Sequence, residues 1–381
     1  MLLKNKKIAI IGAGPVGLTM ARLLQQNGIA VTVYERDKDA HTRISGGTLD
    51  LHKGSGQDAM KKAGLLESYY ALARPMGRTV ANEQGNILFS KKPGHAEQYD
   101  NPEINRNDLR KMLLDSLTSG TVVWDRKFTG LEEHNGQWLL HFENGTDNYR
   151  ENAIADVVIG ANGGMSGARK QVTDAAIEYT GTVIIQGEVF QPEIKCPEFY
   201  QLCDSNILMT AGKGNLLVAN PRNGSVLSYN VIFRKPEEWI DESRSDFQNK
   251  DSMIAFLSSR FAHWHECYQQ LFRSTSSFVI GPTRKIPLDK PWKSNRPLPI
   301  TLIGDAAHIM PPFAGQGANI GLKDAFILSD NLTNGKYETI ETAIHDYEQQ
   351  MLVYAAEAQL ETSKNEIAMF LPDFSFQRFY Q

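Results

Sequence analysis

Two short segments of the 381-residue sequence hold residue types at spacings that can do chemistry. The first is GAGPVG at residues 12–17, followed by Glu35 at the end of the next apolar run. Gly12 permits a tight turn, Gly14 lets a pyrophosphate approach bare backbone, and Gly17 lets a helix pack closely on a strand. The Glu35 carboxylate can then accept the hydroxyl protons of an adenosine ribose. The second segment is GDAAHIMPPFAGQGAN at residues 304–319. Asp305 can bond the hydroxyls of a ribityl chain, Pro311, Pro312 and Phe313 form a stiff apolar wall, and Gly315 and Gly317 allow close backbone approach. The helix expected to begin near Ala318 aims its positive end inward, where it would favour the negative charge that a flavin ring gathers on reduction. The first segment alone fits NAD or FAD, but NAD needs no second site, so the two together select FAD.

These residues need elements to hold them. Lys6 to Ile11 reads as a buried strand entering the glycine turn, and Val16, Met20, Leu23 and Leu24 recur at helical spacing up to Gly28. AVTVYE gives a second strand, and IADVVIGANGG (154–164) and LPITLIGDAAH (298–308) repeat the pattern of an apolar strand running into a turn. Between these returns, from about Tyr179 to Phe233, TVIIQGEVF, NILMT, GNLLVAN and SVLSYNVIF predict an antiparallel sheet. From Glu341 to Phe370 a stretch without Gly or Pro predicts one long helix bridging the domains. The expected fold class is α/β, α+β overall. A Rossmann-like FAD-binding domain (1–178 and 281–335) carries an inserted sheet domain (179–280) and a C-terminal helix and tail (336–381).

Composition bounds the function. With 41% hydrophobic residues the chain can bury a sizeable core. A net charge of −4 leaves no electrostatic footprint for nucleic acid or an anionic membrane, so a small-molecule substrate is expected. No apolar run is long enough to span a bilayer, and the basic start runs into the glycine turn rather than an export signal. Three cysteines without C-x-x-C spacing indicate neither a disulfide framework nor a metal site, and a cytoplasmic monomer is expected.

GAGPVG, ADVVIGANGGMSGARK and GDAAHIMPPFAGQGAN together resemble the class A flavoprotein monooxygenases of the p-hydroxybenzoate hydroxylase fold. TLDLHKGSGQ, DNPEINRNDLR, YQLC, RPLPITLIGDAAH and NEIAMFLPDFSFQ are similar to the TetX-type tetracycline monooxygenases, over nearly the whole chain. The resemblance implies non-covalent FAD with its ribose on Glu35 and its adenine bordered by Arg36. It further implies contacts from Arg43, Asp50 and Arg106, a ribityl ligand in Asp305, and Pro312, Gly315, Gly317 and Asn319 on the flavin side. It places Gln186, Phe313 and Met369 against substrate, whereas His308 packs or caps a turn. NADPH as co-substrate would reduce the flavin, O2 would add to give a C4a-hydroperoxide, and its terminal oxygen would pass to an electron-rich carbon of a tetracycline-like substrate. Two departures bear on the substrate. The family's substrate-binding His falls at Ser228 and its Arg at Ile207, so the alternative is another phenolic or polyketide compound. The usual Asp-Gly pair of the middle motif is Asn162-Gly163, as in the tetracycline enzymes.

Overall fold

A computed structural model describes residues 2–42, 46–145, 150–242 and 249–380, the side chains of 241 and 242 excepted. Four buried apolar strands, Ile8–Ile11, Val31–Tyr34, Val157–Gly160 and Ile300–Leu302, pair in parallel, with Val122–Val123 added at one edge. The strand Ile8–Ile11 lies in the middle. Near-continuous apolar runs suit such strands because helices cover both faces. The helix Pro15–Gln26 buries Leu18, Met20, Leu23 and Leu24, and stops at Gly28, whose φ of 71° few other residues adopt. A three-stranded antiparallel sheet, Lys127–His134, Gln137–Glu143 and Arg150–Ala155, flanks this unit.

The second sheet has seven strands. All four strand-like runs of the middle segment are present, as Glu178–Phe190, Ile207–Gly212, Asn215–Asn223 and Val226–Arg234. They pair antiparallel, with Ser277–Lys285 beyond the first of them. The sheet is not wholly antiparallel, however. Ile207–Gly212 pairs in parallel with Arg78–Ala81, which in turn pairs with Ile87–Lys91, so two strands come from residues before the inserted segment. Register decides what each face does, because successive side chains alternate. Val183, Ile185, Leu217, Tyr229 and Val231 point to one face, where Lys250–Arg260 and Glu266–Arg273 cover them with Met253, Leu257, Tyr268 and Phe272. The opposite face carries Gln186, Ser228, Asn230, Asn220 and Val218, with cross-strand pairs Gln186↔Asn230, Val218↔Asn230 and Asn220↔Ser228.

The long helix runs from Ile340 to Met369. Ile344, Tyr347, Met351 and Ala355 pack into the core of the first unit, and Met369 reaches a separate apolar cluster with Ile207, Met209, Phe313 and Phe376 on the seven-stranded sheet. The one helix thus ties the two units together. Among the described residues no helix is long and apolar enough to cross a membrane, and no group of His, Cys, Asp and Glu is arranged to hold a metal ion.

Candidate active site

A cavity of about 1160 Å³ runs from the glycine turn, past the second glycine segment, to the polar face of the seven-stranded sheet. This exceeds the roughly 300–1,000 Å³ of a single small-ligand site. Gly12, Gly14, Glu35 and Arg36 line one end, and Asp50, Arg106, Asp305, Pro312, Gly315 and Gly317 line the middle. Ile207, Asn220, Ser228 and Asn230 lie at the sheet end.

The glycine turn meets the demands of a dinucleotide. A Cβ on Gly12 would lie 2.7 Å from the Ala161 carbonyl oxygen, and one on Gly17 only 2.1 Å from the Gly12 carbonyl oxygen. A Cβ on Gly14 would meet nothing within 4 Å, so the space in front of it is open to a ligand. Gly14 caps the helix Pro15–Gln26 without a side-chain hydrogen bond, and Gln316 caps Gly317–Thr333 in the same way. Two helix N-termini therefore face the cavity with amides that no capping side chain occupies, which is the arrangement that receives phosphate or a reduced flavin ring. Glu35 is buried, its oxygens accepting from Ala13 N at 2.5 Å and Asp37 N at 3.0 Å, which fixes the carboxylate beside the turn.

Asp305 opens the short helix Asp305–His308 behind Gly304, whose φ of 63° and ψ of −147° only glycine adopts readily. Arg169 holds this turn from behind, donating to the carbonyls of Asp305 at 3.1 Å and Ala306 at 2.9 Å. The Asp305 side chain lines the cavity, and among the described residues its carboxylate has no hydrogen-bond partner. Arg106 presents a buried Nε that has no partner, and burial pulls its guanidinium below its ordinary value, with the Asp305 charge opposing. An orphaned donor, a free carboxylate and two uncapped helix ends are the complement of a flavin dinucleotide. Asp305→Ala should lower FAD affinity about tenfold to a hundredfold, the worth of a hydrogen bond to a charged group. Fluorescence titration of deflavinated protein checks this, and unchanged affinity would remove Asp305 from the site.

Not every expected contact reaches the cavity. Asn319 is fully buried and spends its amide on backbone, accepting from His52 N at 2.7 Å and donating to Asp50 O at 2.9 Å, so it shapes the Asp50 segment from behind. Gly17 is a packing residue. Phe313 and Met369 sit in the apolar cluster beside Ile207 but, unlike Ile207, Met369 does not line the cavity and neither does Phe313. Gln186 stands beside Asn230 on the same sheet face, outside the cavity lining, with a buried Nε2 that has no partner among the described residues. Arg43 lies outside the described residues. His308 is buried against Asp324, its Nε2 2.7 Å from Oδ2, away from the cavity.

Arg110 is a residue that sequence reasoning missed. It lies one helical turn after Arg106 on Arg106–Asp115, is buried, and lines the cavity. Its guanidinium pairs with Asp37 at 2.8 Å and donates to Ala13 O and Thr42 O, each at 3.2 Å. The i, i+4 repeat in RNDLR put both arginines on one helix face and was the available signal.

A model of a FAD binding domain family matches residues 5–359. The chain belongs to that family. It is 28% identical over 385 residues to a 3-amino-4-hydroxybenzoate 2-monooxygenase of Streptomyces cremeus, covering 98% of this chain and 90% of the other. Among solved structures it resembles HpxO of Klebsiella pneumoniae complexed with FAD and uric acid (TM-score 0.78, 22% identity, 97% and 90% covered). It also resembles the tetracycline destructase Tet(55) (TM-score 0.77, 22% identity, 100% and 94% covered). The fold is that of the class A flavoprotein monooxygenases.

Proposed function

We propose that this FAD-dependent monooxygenase uses NADPH and O2 to hydroxylate a tetracycline-like polycyclic compound. The observation that carries the reading is the continuity of the cavity. A single space joins the dinucleotide turn, Asp305 and a sheet face set with Asn220, Ser228 and Asn230. Bound FAD, reduced by NADPH and reacting with O2, supplies the electrophilic oxygen. The chain's own residues do the rest. Glu35 and Arg36 hold the adenosine end, the Gly14 turn receives the pyrophosphate, and Asp305 and Arg106 bracket the ribityl chain and ring. The sheet orients substrate with amides and a hydroxyl over an apolar floor of Ile207, Met209 and Val218.

A polycyclic substrate is supported by the size of the cavity and by the resemblance of the motifs to the tetracycline enzymes. The second reading, a smaller phenolic substrate, is supported by Ile207 and Ser228. Ile207 offers only apolar surface and Ser228 a short hydroxyl where the tetracycline enzymes have longer polar anchors, and the Streptomyces relative is named for an aminohydroxybenzoate. Ser228→His and Ile207→Arg together should lower KM for a tetracycline about tenfold or more while leaving kcat nearly unchanged, the pattern of restored uniform binding. NADPH oxidation followed against tetracycline concentration checks this. No stimulation of the wild-type protein by any tetracycline would favour the phenolic substrate.

A further inference from the structure

One carboxyl group in the cavity wall has no part in holding a dinucleotide. Glu103 begins the strand Glu103–Asn105 and lies directly opposite Asp50 in antiparallel register, so the two carboxyl groups share a face. Their surroundings pull them apart. Burial opposes ionisation of Asp50, but the His52 hydrogen bond at 3.1 Å, the charges of His52 and Arg78 and the Asn101 amide outweigh it and hold Asp50 below its ordinary value. At Glu103 burial and then the Asp50 charge push the carboxyl up to about 7, against Thr48, Arg78 and His52. Arg78 Nη2 lies 3.5 Å from Glu103 Oε1, and Arg74 meets only its backbone. Two carboxyls separated in this way by their environments are how one site holds an acid and a base at the same pH.

The geometry connects Glu103 to the substrate end of the cavity. Thr48 Oγ1 donates to Glu103 Oε2 at 2.5 Å and accepts from Asn220 Nδ2 at 2.9 Å. A hydroxyl oxygen has two lone pairs, so one remains. Thr48, Asn220 and Ser228 all line the cavity, and a Cβ on the preceding Gly47 would lie 3.9 Å from Ser228 Oγ. We propose that Glu103, acting through the Thr48 hydroxyl, takes the proton of a phenol or enol hydroxyl seated against Asn220 and Ser228. The substrate O–H bond breaks as its proton passes to Thr48 Oγ1, and the proton already on Thr48 passes to Glu103 Oε2. The electron pair stays on the substrate oxygen and makes the ring a better nucleophile toward an electrophilic oxygen. The proton returns when product takes it back. The inference rests on reading the cavity as a hydroxylase site and assigns the residues that take the proton of a hydroxyl on an unsaturated carbon. Thr48 touches the substrate, and Glu103 positions the proton.

The test has one arm without substrate and one with a chromophoric phenol, 4-nitrophenol, both on FAD-loaded protein. In the first arm, infrared titration of the wild type shows a protonated carboxyl band that disappears with a midpoint near 7. The band is missing in Glu103→Gln and kept in Thr48→Val. Because the folded-state value lies above the ordinary 4.5, the wild type also loses thermal stability relative to Glu103→Gln as pH rises from 4.5 to about 7. In the second arm, the absorbance of bound 4-nitrophenol is followed from about pH 5 to about pH 10. In the wild type the phenolate signal rises in two steps with a plateau near half, since the probe and Glu103 share one proton. Glu103→Gln gives a single step, and Thr48→Val loses the plateau while keeping the infrared band. A single step in the wild type, or a plateau that survives Thr48→Val, would overturn the relay and leave the hydroxylase reading standing. A probe spectrum that none of the proteins perturbs would overturn the seating of a phenol against Asn220 and Ser228, and the relay with it.

Discussion

Gly17→Ala is expected to yield a destabilised protein that retains no FAD, and Gly14→Ala a protein that folds normally yet binds FAD at least about tenfold more weakly. The two positions are three residues apart in one turn, and their surroundings separate the outcomes. A Cβ at Gly17 would stand 2.1 Å from the Gly12 carbonyl oxygen, which is backbone and cannot swing aside. Alanine gains about 1 kcal/mol of helix propensity, but forcing the helix off the strand costs about 1–3 kcal/mol or more. That displacement also moves the turn that would face the pyrophosphate. At Gly14 the backbone is extended, with φ −75° and ψ 173°, and a Cβ would meet nothing within 4 Å of protein. Its methyl group projects only into the space reserved for the ligand. Thermal denaturation of the apoprotein together with FAD titration separates the two effects. Equal FAD affinity in Gly14→Ala and wild type would contradict the placement of the pyrophosphate.

The second large effect is expected at Asp324, a residue that touches no ligand. Its carboxylate is fully buried and accepts from Gly304 N at 2.6 Å, from His308 Nε2 at 2.7 Å and from Tyr354 OH at 2.5 Å. These partners belong to the Asp305 turn and to the long C-terminal helix, so one side chain fixes the flavin-side turn to both helices behind it. Asp324→Ala leaves the buried donors of Gly304 and His308 and the half-buried Tyr354 hydroxyl without an acceptor and should cost about 3–5 kcal/mol of stability, with loss of FAD retention as the Gly304 turn relaxes. Burial opposes protonation of His308, but the Asp324 charge and hydrogen bond, with Asp305, raise its value above 6.5. The pair therefore contributes fully below pH 6.5, and that contribution is lost as pH rises through the raised value. Denaturation midpoints across that range should show the deficit of Asp324→Ala shrinking as pH rises. A constant deficit would show that His308 is neutral throughout.

The nucleotide end of the site was legible in the sequence because its requirements are local. GAGPVG, the apolar strands on either side and Glu35 lie within a few turns of chain, and Gly12 and Gly17 answer steric demands of the fold while Gly14 fronts open space. The same holds for the segment from Gly304 to Gly317 and for the single helix Ile340–Met369. The substrate end was less legible because motif resemblance transmits residue type and not side-chain direction. Phe313 and Met369 are turned into the apolar cluster with Ile207, whereas Gln186 keeps an unpartnered Nε2 on the sheet face that carries Ser228 and Asn230. The parallel strand Arg78–Ala81 is short and starts with a charge, and only pairing with Ile207–Gly212 makes it part of the sheet. The chemistry of Glu103 was invisible for a related reason. It depends on Asp50 across an antiparallel ladder and on Thr48 beside it, neighbours that no spacing along the chain reveals.

The central claim is that one continuous cavity brings a flavin and an oxidisable ring together so that oxygen from O2 enters the ring. The most direct test supplies the FAD-loaded protein with NADPH, oxygen-18 gas and a tetracycline, with an aminohydroxybenzoate in parallel, and reads the products by mass. One labelled oxygen atom per product molecule, matched to ring-stimulated NADPH oxidation and absent under anaerobic conditions, is the predicted result. Product whose added oxygen comes from water, or NADPH consumption that no ring compound accelerates, would contradict it.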